Sequence, residues 1–337
     1  MERTVLQERL LGIVKRFQHR RVLVIGDAIA DQFVYGAISR VSREAPVFII
    51  RHEHTETVPG GAANCAVNLA SLGAKVSLLA ITGEDEAGQA LKAKLEAAKV
   101  DCGGIITSPQ VRTTTKVRIL AGQSHSTRQQ VVRIDYEDRP LSGALTRLCE
   151  LVGEKALDAD AIVFSDYNYG VAEDELIAIV KATATPHKIP TLVDSRFRLL
   201  SFPGFNSATP NESEVEELLG MQTESDELLA IAGEQLRERL GYRALLITRG
   251  GHGMTLLEEG VDPLHLPAVG GEEPVDVTGA GDTVIATYSL ALCCDASFPD
   301  AARLANFAGG LVVMKRGTAS VTATELEHSV LHWEANR

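Results

Sequence analysis

Three small residues followed by a carboxylate, Gly279, Ala280, Gly281 and Asp282, stand in the segment VDVTGAGDTVIATYSLAL at 275–292. Glycines permit a tight turn whose backbone N–H groups converge on one point. The run 283–292 reads as a helix, so the turn lies at a helix N-terminus, where the dipole and free amides favour an anion. Negative charge developing on a transferring phosphoryl group would be stabilised there without rearrangement. Asp282 follows directly and could accept a proton from an attacking hydroxyl. As an ordinary first-turn aspartate it would stabilise the helix by only about 0.3–1 kcal/mol, and the glycines would remain unexplained. A dinucleotide fingerprint would need Gly or Ala where Val284 stands, and no GxxxxGK[ST] sequence occurs.

Such a turn needs a scaffold to aim it. Apolar runs RVLVIG, KVSLLAI, AIVFS (161–165), TLVD (191–194) and ALLIT (244–248) alternate with helical patterns after Gly60, through 86–98 and after Glu173. That alternation indicates a parallel sheet buried on both faces, with ligands beyond its carboxyl ends. Two segments break the rhythm. Residues 32–57 and 111–136 alternate polar with apolar and lack helical patterning. Within the second, 113–120 and 129–136 read as an antiparallel hairpin with SHSTR as its loop. A small second sheet standing over the end of the main one is expected; edge strands of a single sheet are the alternative. Without repeats or linkers, 1–337 should form one domain. Leu6, Leu10, Ile13, Val14 and Phe17 recur at helical spacing, which suggests an amphipathic helix docked on the body.

Composition bounds the partners. With 45% hydrophobic and 23% charged residues the chain reads as a globular protein able to bury its own core. A net charge of −12 argues against nucleic acid, so any phosphate-bearing ligand must be held locally against an adverse field. The five cysteines are odd in number and lack a Cys-x-x-Cys, so they are read as reduced thiols of a cytoplasmic protein. The charged N-terminus has no signal-peptide pattern, and the weakly polar run 283–294 is too short for a bilayer, so no membrane partner is expected.

The segment DVTGAGDT resembles the C-terminal signature of the ribokinase (PfkB) family of carbohydrate kinases. PGGAANCAVNLASLGAKVSLLAITGED (59–85) is similar to that family's N-terminal signature, and TPNESE (209–214) to its Asn-x-x-Glu motif. TRGGHGM (248–254) and ANFAGGLVVMKRGT (305–318) resemble its nucleotide-site segments. Together the likeness runs from about residue 20 to 330. Within the family, YGAISRVSREAP, TTTKVRIL, QQVVRIDYED and SDYNYG are most similar to the heptose 7-phosphate kinases. Arg43, Tyr169 and Ser195-Arg196 depart from that group's pattern of Pro, Lys and Pro-Lys, where the remote end of the acceptor would be read. The chain ends at Arg337 soon after the last expected helix, so the nucleotidyltransferase domain that often follows such kinases is expected to be absent from it.

The resemblance implies a ribokinase-like three-layer α/β fold: a mostly parallel central sheet flanked by helices, plus a small β-sheet lid. It implies an ATP-dependent sugar kinase with ATP as co-substrate, Mg²⁺, and K⁺ as a candidate further ion. Asp282 would be the base, with the amides of Gly279, Ala280 and Gly281 as the anion hole. Asp27, Asp31, Gly60, Gly61 and Asn64 would contact the sugar; a helix cap at Asn64 and a solvated turn at Asp31 are the plainer readings. Asn211 would serve the nucleotide phosphates and Glu214 would bind Mg²⁺ through water, although the pair also fits a capping box. Thr248, Arg249 and Gly251 would line the phosphates or ribose, Asn306 the adenine side, and Asp276 a monovalent cation.

The acceptor expected from the resemblance is heptose 7-phosphate, phosphorylated at O1. Arg40, Arg43, Lys116, Arg118, Arg196 and Arg198 form a basic set that could hold its phosphate. Ribose, fructose, a fructose phosphate or a nucleoside are alternative acceptors, and a non-catalytic nucleotide- or sugar-binding member is the alternative from another class. The lid is expected to pair with its counterpart in a homodimer.

Overall fold

The computed structural model describes residues 2–122, 128–270 and 273–333. Helix α1 (Glu2–Val14) opens the chain. It buries Leu10, Ile13 and Val14, as the helical spacing predicts, with Phe17 just beyond it. Gln7 donates to the Val330 carbonyl at 3.0 Å, so the docked helix closes onto the end of the chain.

Strand β1 (Arg21–Gly26) leads into two long strands, β2 (Ala28–Val41) and β3 (Phe48–Gly61), then helix α2 (Ala62–Ser71). Next come β4 (Lys75–Gly83), α3 (Glu86–Ala97), β5 (Asp101–Ser108), and the hairpin β6 (Thr115–Gly122) and β7 (Gln129–Tyr136). After these follow α4 (Ser142–Lys155), β8 (Ala161–Asp166), α5 (Asp174–His187), β9 (Thr191–Ser195), β10 (Ser207–Ala208), α6 (Glu212–Leu219) and α7 (Asp226–Leu240). The last elements are β11 (Ala244–Thr248), β12 (Met254–Glu258), β13 (Leu264–Leu266), α8 (Ala280–Leu292), α9 (Phe298–Val312) and α10 (Ala323–His332).

Among the described residues the main sheet has the order β13-β12-β11-β10-β9-β8-β1-β4-β5. All its pairings are parallel except β11–β12 and β12–β13, an antiparallel edge the sequence did not announce. Alternate β1 residues divide the core as a doubly covered sheet requires. Val22 and Val24 pack with α1, α2, α8, α9 and α10, while Leu23 and Ile25 pack with α4, α5 and α7. The chain leaves β1 toward β4 on one side and β8 on the other, and such a switch point is where a parallel sheet opens a crevice.

The two rhythm-breaking segments form a separate four-stranded sheet of order β3-β2-β6-β7, which sets aside the single-sheet alternative. The expected antiparallel hairpin is present between β6 and β7. Its pairing to β2 is parallel, and β2 starts at Ala28, only two residues after β1 ends. The small sheet is thus held at the carboxyl end of the main one by a single connecting residue, Asp27. Residues 124–127 of the expected SHSTR loop lie outside the described residues.

Candidate active site

Four acidic residues mark the carboxyl ends of adjacent strands: Asp27 just past β1, Asp166 at the end of β8, and Asp194 near the end of β9, with Glu214 in the first turn of α6 beyond β10. Asp27 is buried and accepts from the backbone amides of Tyr167, Tyr169 and Val171 at 2.8, 3.0 and 3.2 Å. Burial, reinforced by Asp166, pushes its carboxyl up to about 6 against those three bonds. Its carboxylate is therefore committed to shaping the loop after β8. Asp166 does the same for the next turn, accepting from Ser195 Oγ at 2.6 Å and the Asn168 amide at 3.0 Å.

Asp282 lies in the first turn of α8, buried, with the glycine turn in front of it. Gly279 is the N-cap residue at φ 76, a left-handed conformation that favours glycine. Asn64 Nδ2 donates to Asp282 Oδ2 at 2.7 Å, and the Tyr167 hydroxyl donates to Oδ1 at 3.2 Å. Burial raises the Asp282 carboxyl to about 7; these two bonds and Lys116 oppose the rise, while Asp31 adds to it. A carboxyl titrating near neutrality beside a helix N-terminus is suited to take a proton from a hydroxyl. Asn64 does not act as the cap of α2, since Gly61 holds that position; its amide faces Asp282 instead.

Strand register builds the opposite wall. Asp31 pairs with Lys116, Phe33 with Arg118, Lys116 with Asp135 and Arg118 with Arg133, so these side chains share one face of the small sheet. Arg118 is bonded to Asp31. A Cβ on Gly60 would fall 2.3 Å from Asp31 Oδ2, so only glycine admits that carboxylate here. Lys116 is buried, and its Nζ lies 5.5 Å from the ring centres of both Tyr167 and Tyr169. Among the described residues it has neither a hydrogen bond nor an ion pair. Burial lowers its proton affinity, as do Arg133 and Arg196, while Asp31 raises it.

At the start of α6, Asn211 and Glu214 form a reciprocal capping box with both bonds at 2.9 Å. Burial nevertheless pushes Glu214 up, with Arg196 pulling the other way. Asp194 is the neighbour that the sequence reading missed. Burial and the carboxylates of Asp282, Glu214 and Asp166 hold it well above the ordinary carboxylate range. Two carboxylates raised in this way, without a cationic partner in contact among the described residues, are a donor set that fits a divalent cation retaining much of its water.

Thr248 bridges to Asn211 at the end of β11. Arg249 is drawn to Asp226 at 2.6 Å and Glu212 at 3.4 Å, at the starts of two helices, and Gly251 is exposed. Asn306 donates to the Pro267 carbonyl at 2.7 Å. Asp276 accepts from the amides of Thr278 and Gly317 at 2.9 and 3.0 Å, tying the segment before the glycine turn to the loop after α9.

The expected basic set does not assemble whole. Arg40 lies nine residues beyond Asp31 on β2, which at about 3.3 Å per residue is roughly 30 Å along the strand. Arg43 lies further still, and both are exposed. Neither reaches the acceptor wall of its own chain. Arg198 is a brace: its guanidinium donates to the Ala172 carbonyl at 2.6 Å and to Asp174 at 3.2 Å. Lys116, Arg118 and Arg196 remain near the site, and Arg133 joins them across from Arg118.

The model of the pfkB family of carbohydrate kinases matches residues 19–325. The bifunctional protein HldE of Pseudomonas aeruginosa (strain UCBPP-PA14) is 42% identical over 316 residues, covering 94% of this chain and 64% of that protein. The protein of the same name from Alcanivorax borkumensis is 40% identical over 320 residues, covering 94% and 65%. The chain therefore spans less than two thirds of the length of these relatives. Among solved structures, Arabidopsis thaliana ribokinase complexed with ribose and ATP superposes with a TM-score of 0.72 at 20% identity, over 93% of this chain and 99% of that one. Escherichia coli phosphofructokinase-2 in complex with potassium gives 0.74 at 16% identity, over 94% and 99%. At these identities the structural likeness speaks for the fold alone. No helix among the described residues is long and apolar enough to cross a membrane.

Proposed function

The chain belongs to the pfkB family of carbohydrate kinases, and from that premise we propose that it phosphorylates the anomeric hydroxyl of a heptose 7-phosphate with ATP, Asp282 acting as the base. The observation that carries this reading is the meeting of two walls. A buried carboxylate behind a helix-terminal glycine turn faces a sheet bearing Lys116, whose ammonium is unpaired among the described residues. Asp282, aligned by Asn64 and Tyr167, takes the proton as the sugar oxygen bonds to the γ-phosphorus and the bond to the ADP oxygen breaks. Backbone amides of Gly279, Ala280 and Gly281 hold the charge that develops on the phosphoryl oxygens, that of Ala280 by leaving its 3.3 Å bond to the Val277 carbonyl. Glu214 and Asp194 would hold Mg²⁺, which when bound neutralises phosphate charge. Asp276 is proposed as a ligand for K⁺. Five unbridged cysteines and dependence on ATP favour the cytoplasm.

Two features support a phosphorylated acceptor. Three of the four segments most similar to heptose 7-phosphate kinases, TTTKVRIL, QQVVRIDYED and SDYNYG, carry residues of the acceptor wall. In a chain of net charge −12, Lys116 and Arg196 place positive charge there, beside Arg118 and Arg133, which are paired with Asp31 and Asp135. A charge-assisted bond to phosphate contributes about 1.5–3 kcal/mol, or roughly 10–100-fold in affinity. In an ADP-release assay on free and phosphorylated sugars, heptose 7-phosphate is expected to give the highest kcat/KM. Lys116→Met and Arg196→Ala should each raise the acceptor KM about tenfold or more, with the ATP KM nearly unchanged. Preference for an unphosphorylated sugar, or an unmoved acceptor KM in both variants, would overturn the assignment.

The outer face of the small sheet is proposed to pair with a second copy. Val34, Val117, Ile119, Val132 and Ile134 share that face by register, and Val132 and Ile134 are 48% and 42% exposed. A small sheet with one apolar face gains stability by covering it. Light scattering at micromolar concentration should give a dimer mass, and Ile134→Lys should give a monomer; a monomeric wild type would refute the pairing.

A further inference from the structure

Behind Asp282 a line of polar side chains runs through the interface of α2 and α8. Thr283 Oγ1 donates to Asn68 Oδ1 at 2.8 Å. Asn68 Nδ2 donates to Asn64 Oδ1 at 3.1 Å and to the Asn64 carbonyl at 3.0 Å. Asn64 Nδ2 then donates to Asp282. Thr283 and Asn68 are fully buried and Asn64 is 3% exposed. The carboxylate fixes the sense of the whole line, because an ionised carboxylate can only accept. Asn64 must therefore turn its NH2 toward Asp282 and its Oδ1 away. That oxygen needs a donor, which Asn68 supplies only while its own Oδ1 is satisfied by the Thr283 hydroxyl.

We propose that Thr283 and Asn68 are positioning residues for the kinase reaction, holding the Asn64 amide in the one orientation that donates to Asp282. Without that lock, the Asn64 amide can rotate and present oxygen to oxygen, which disfavours the ionised base. The proposal rests on Asp282 being the base. The titratable groups that also face Asp282 are Asp31 from β2, Cys65 from α2, Lys116 from β6, Tyr167 after β8 and Asp194 from β9. Neither Thr283 nor Asn68 makes a hydrogen bond to any of these; the Thr283 hydroxyl also lies 3.4 Å from the Gly279 carbonyl, a contact that Asn68→Leu leaves in place, so that variant isolates the route through Asn64.

The test is the pH dependence of kcat/KM across the neutral range for wild type, Thr283→Val, Thr283→Ser, Asn68→Leu and Asp282→Asn. Thr283→Val keeps the shape and removes the donor; Thr283→Ser keeps the donor. Expected is an upward move of the acid limb by roughly 0.5–1 pH unit in Thr283→Val and Asn68→Leu, with activity recovering at high pH. Thr283→Ser should overlay wild type. If Asn68→Leu does not fold, the two Thr283 variants decide alone. Limbs that coincide in Thr283→Val and wild type, whatever the change in Tm, would overturn the proposal while an inactive Asp282→Asn leaves the base assignment standing. Wild-type turnover in Asp282→Asn would remove the premise itself.

Discussion

Replacing Asp282 by asparagine is expected to lower kcat by roughly 10²–10⁴, the usual size of a lost general base, while ATP still binds. Asparagine fits the same space: its oxygen can accept from Asn64, and the Tyr167 hydroxyl can turn to accept from its NH2. Stability at alkaline pH should not fall. Burial raises the Asp282 carboxyl from 3.8 to about 7. The folded state thus binds that proton more tightly than the unfolded one, and stability is lost as pH climbs between those values. An uncharged side chain escapes that loss, so the variant should melt no lower than wild type above neutrality. In the wild type, kcat/KM should fall roughly tenfold per pH unit on the acid side of about 7 as the base becomes protonated. Turnover within about threefold of wild type in the variant would remove Asp282 from this role.

The residues that sequence reading found here are those whose meaning is local. Glycines at 279 and 281, an aspartate and a following helix lie within a few positions, so the turn and its dipole could be reasoned from spacing alone. The strands of the parallel core were legible because a sheet covered on both faces is apolar at every position. What stayed hidden depends on register between distant segments. Tyr167 touches Asp282 only because three amides folded around Asp27 turn the loop after β8 into the cleft. Asp194 read as the last residue of an ordinary strand; its weight comes from standing beside Asp282 and Glu214, 88 and 20 positions away in sequence. The basic set failed in an instructive way. Sequence grouped Arg40 with Lys116 and Arg118, but an extended strand carries each residue about 3.3 Å further off, whereas Arg133 is brought in by hairpin pairing.

Gly279→Ala should damage both rate and stability by adding a single methyl group at the site. At φ 76 an L-residue costs about 1–2 kcal/mol before any contact is considered. The added Cβ would then lie 2.6 Å from Asn64 Nδ2 and 3.4 Å from Thr318 Cγ2. Asn64 Nδ2 is the atom that donates to Asp282, so it cannot yield without releasing the base. If instead the turn yields, the amides of Ala280 and Gly281 leave the direction set by the helix terminus, and loss of one such donor costs roughly 10²–10³ in rate. Both routes converge on a kcat lowered by about 10² or more, together with a lower Tm. Gly281→Ala is the internal control. Gly281 is already inside α8, and its added Cβ would meet nothing closer than Asp194 Oδ2 at 3.8 Å, so its Tm should match wild type. Equal Tm losses in the two variants would show that the left-handed turn at Gly279 is not the source of the damage. Near-normal kcat in Gly279→Ala would show that neither Asn64 nor the turn amides are as tightly fixed as their distances imply.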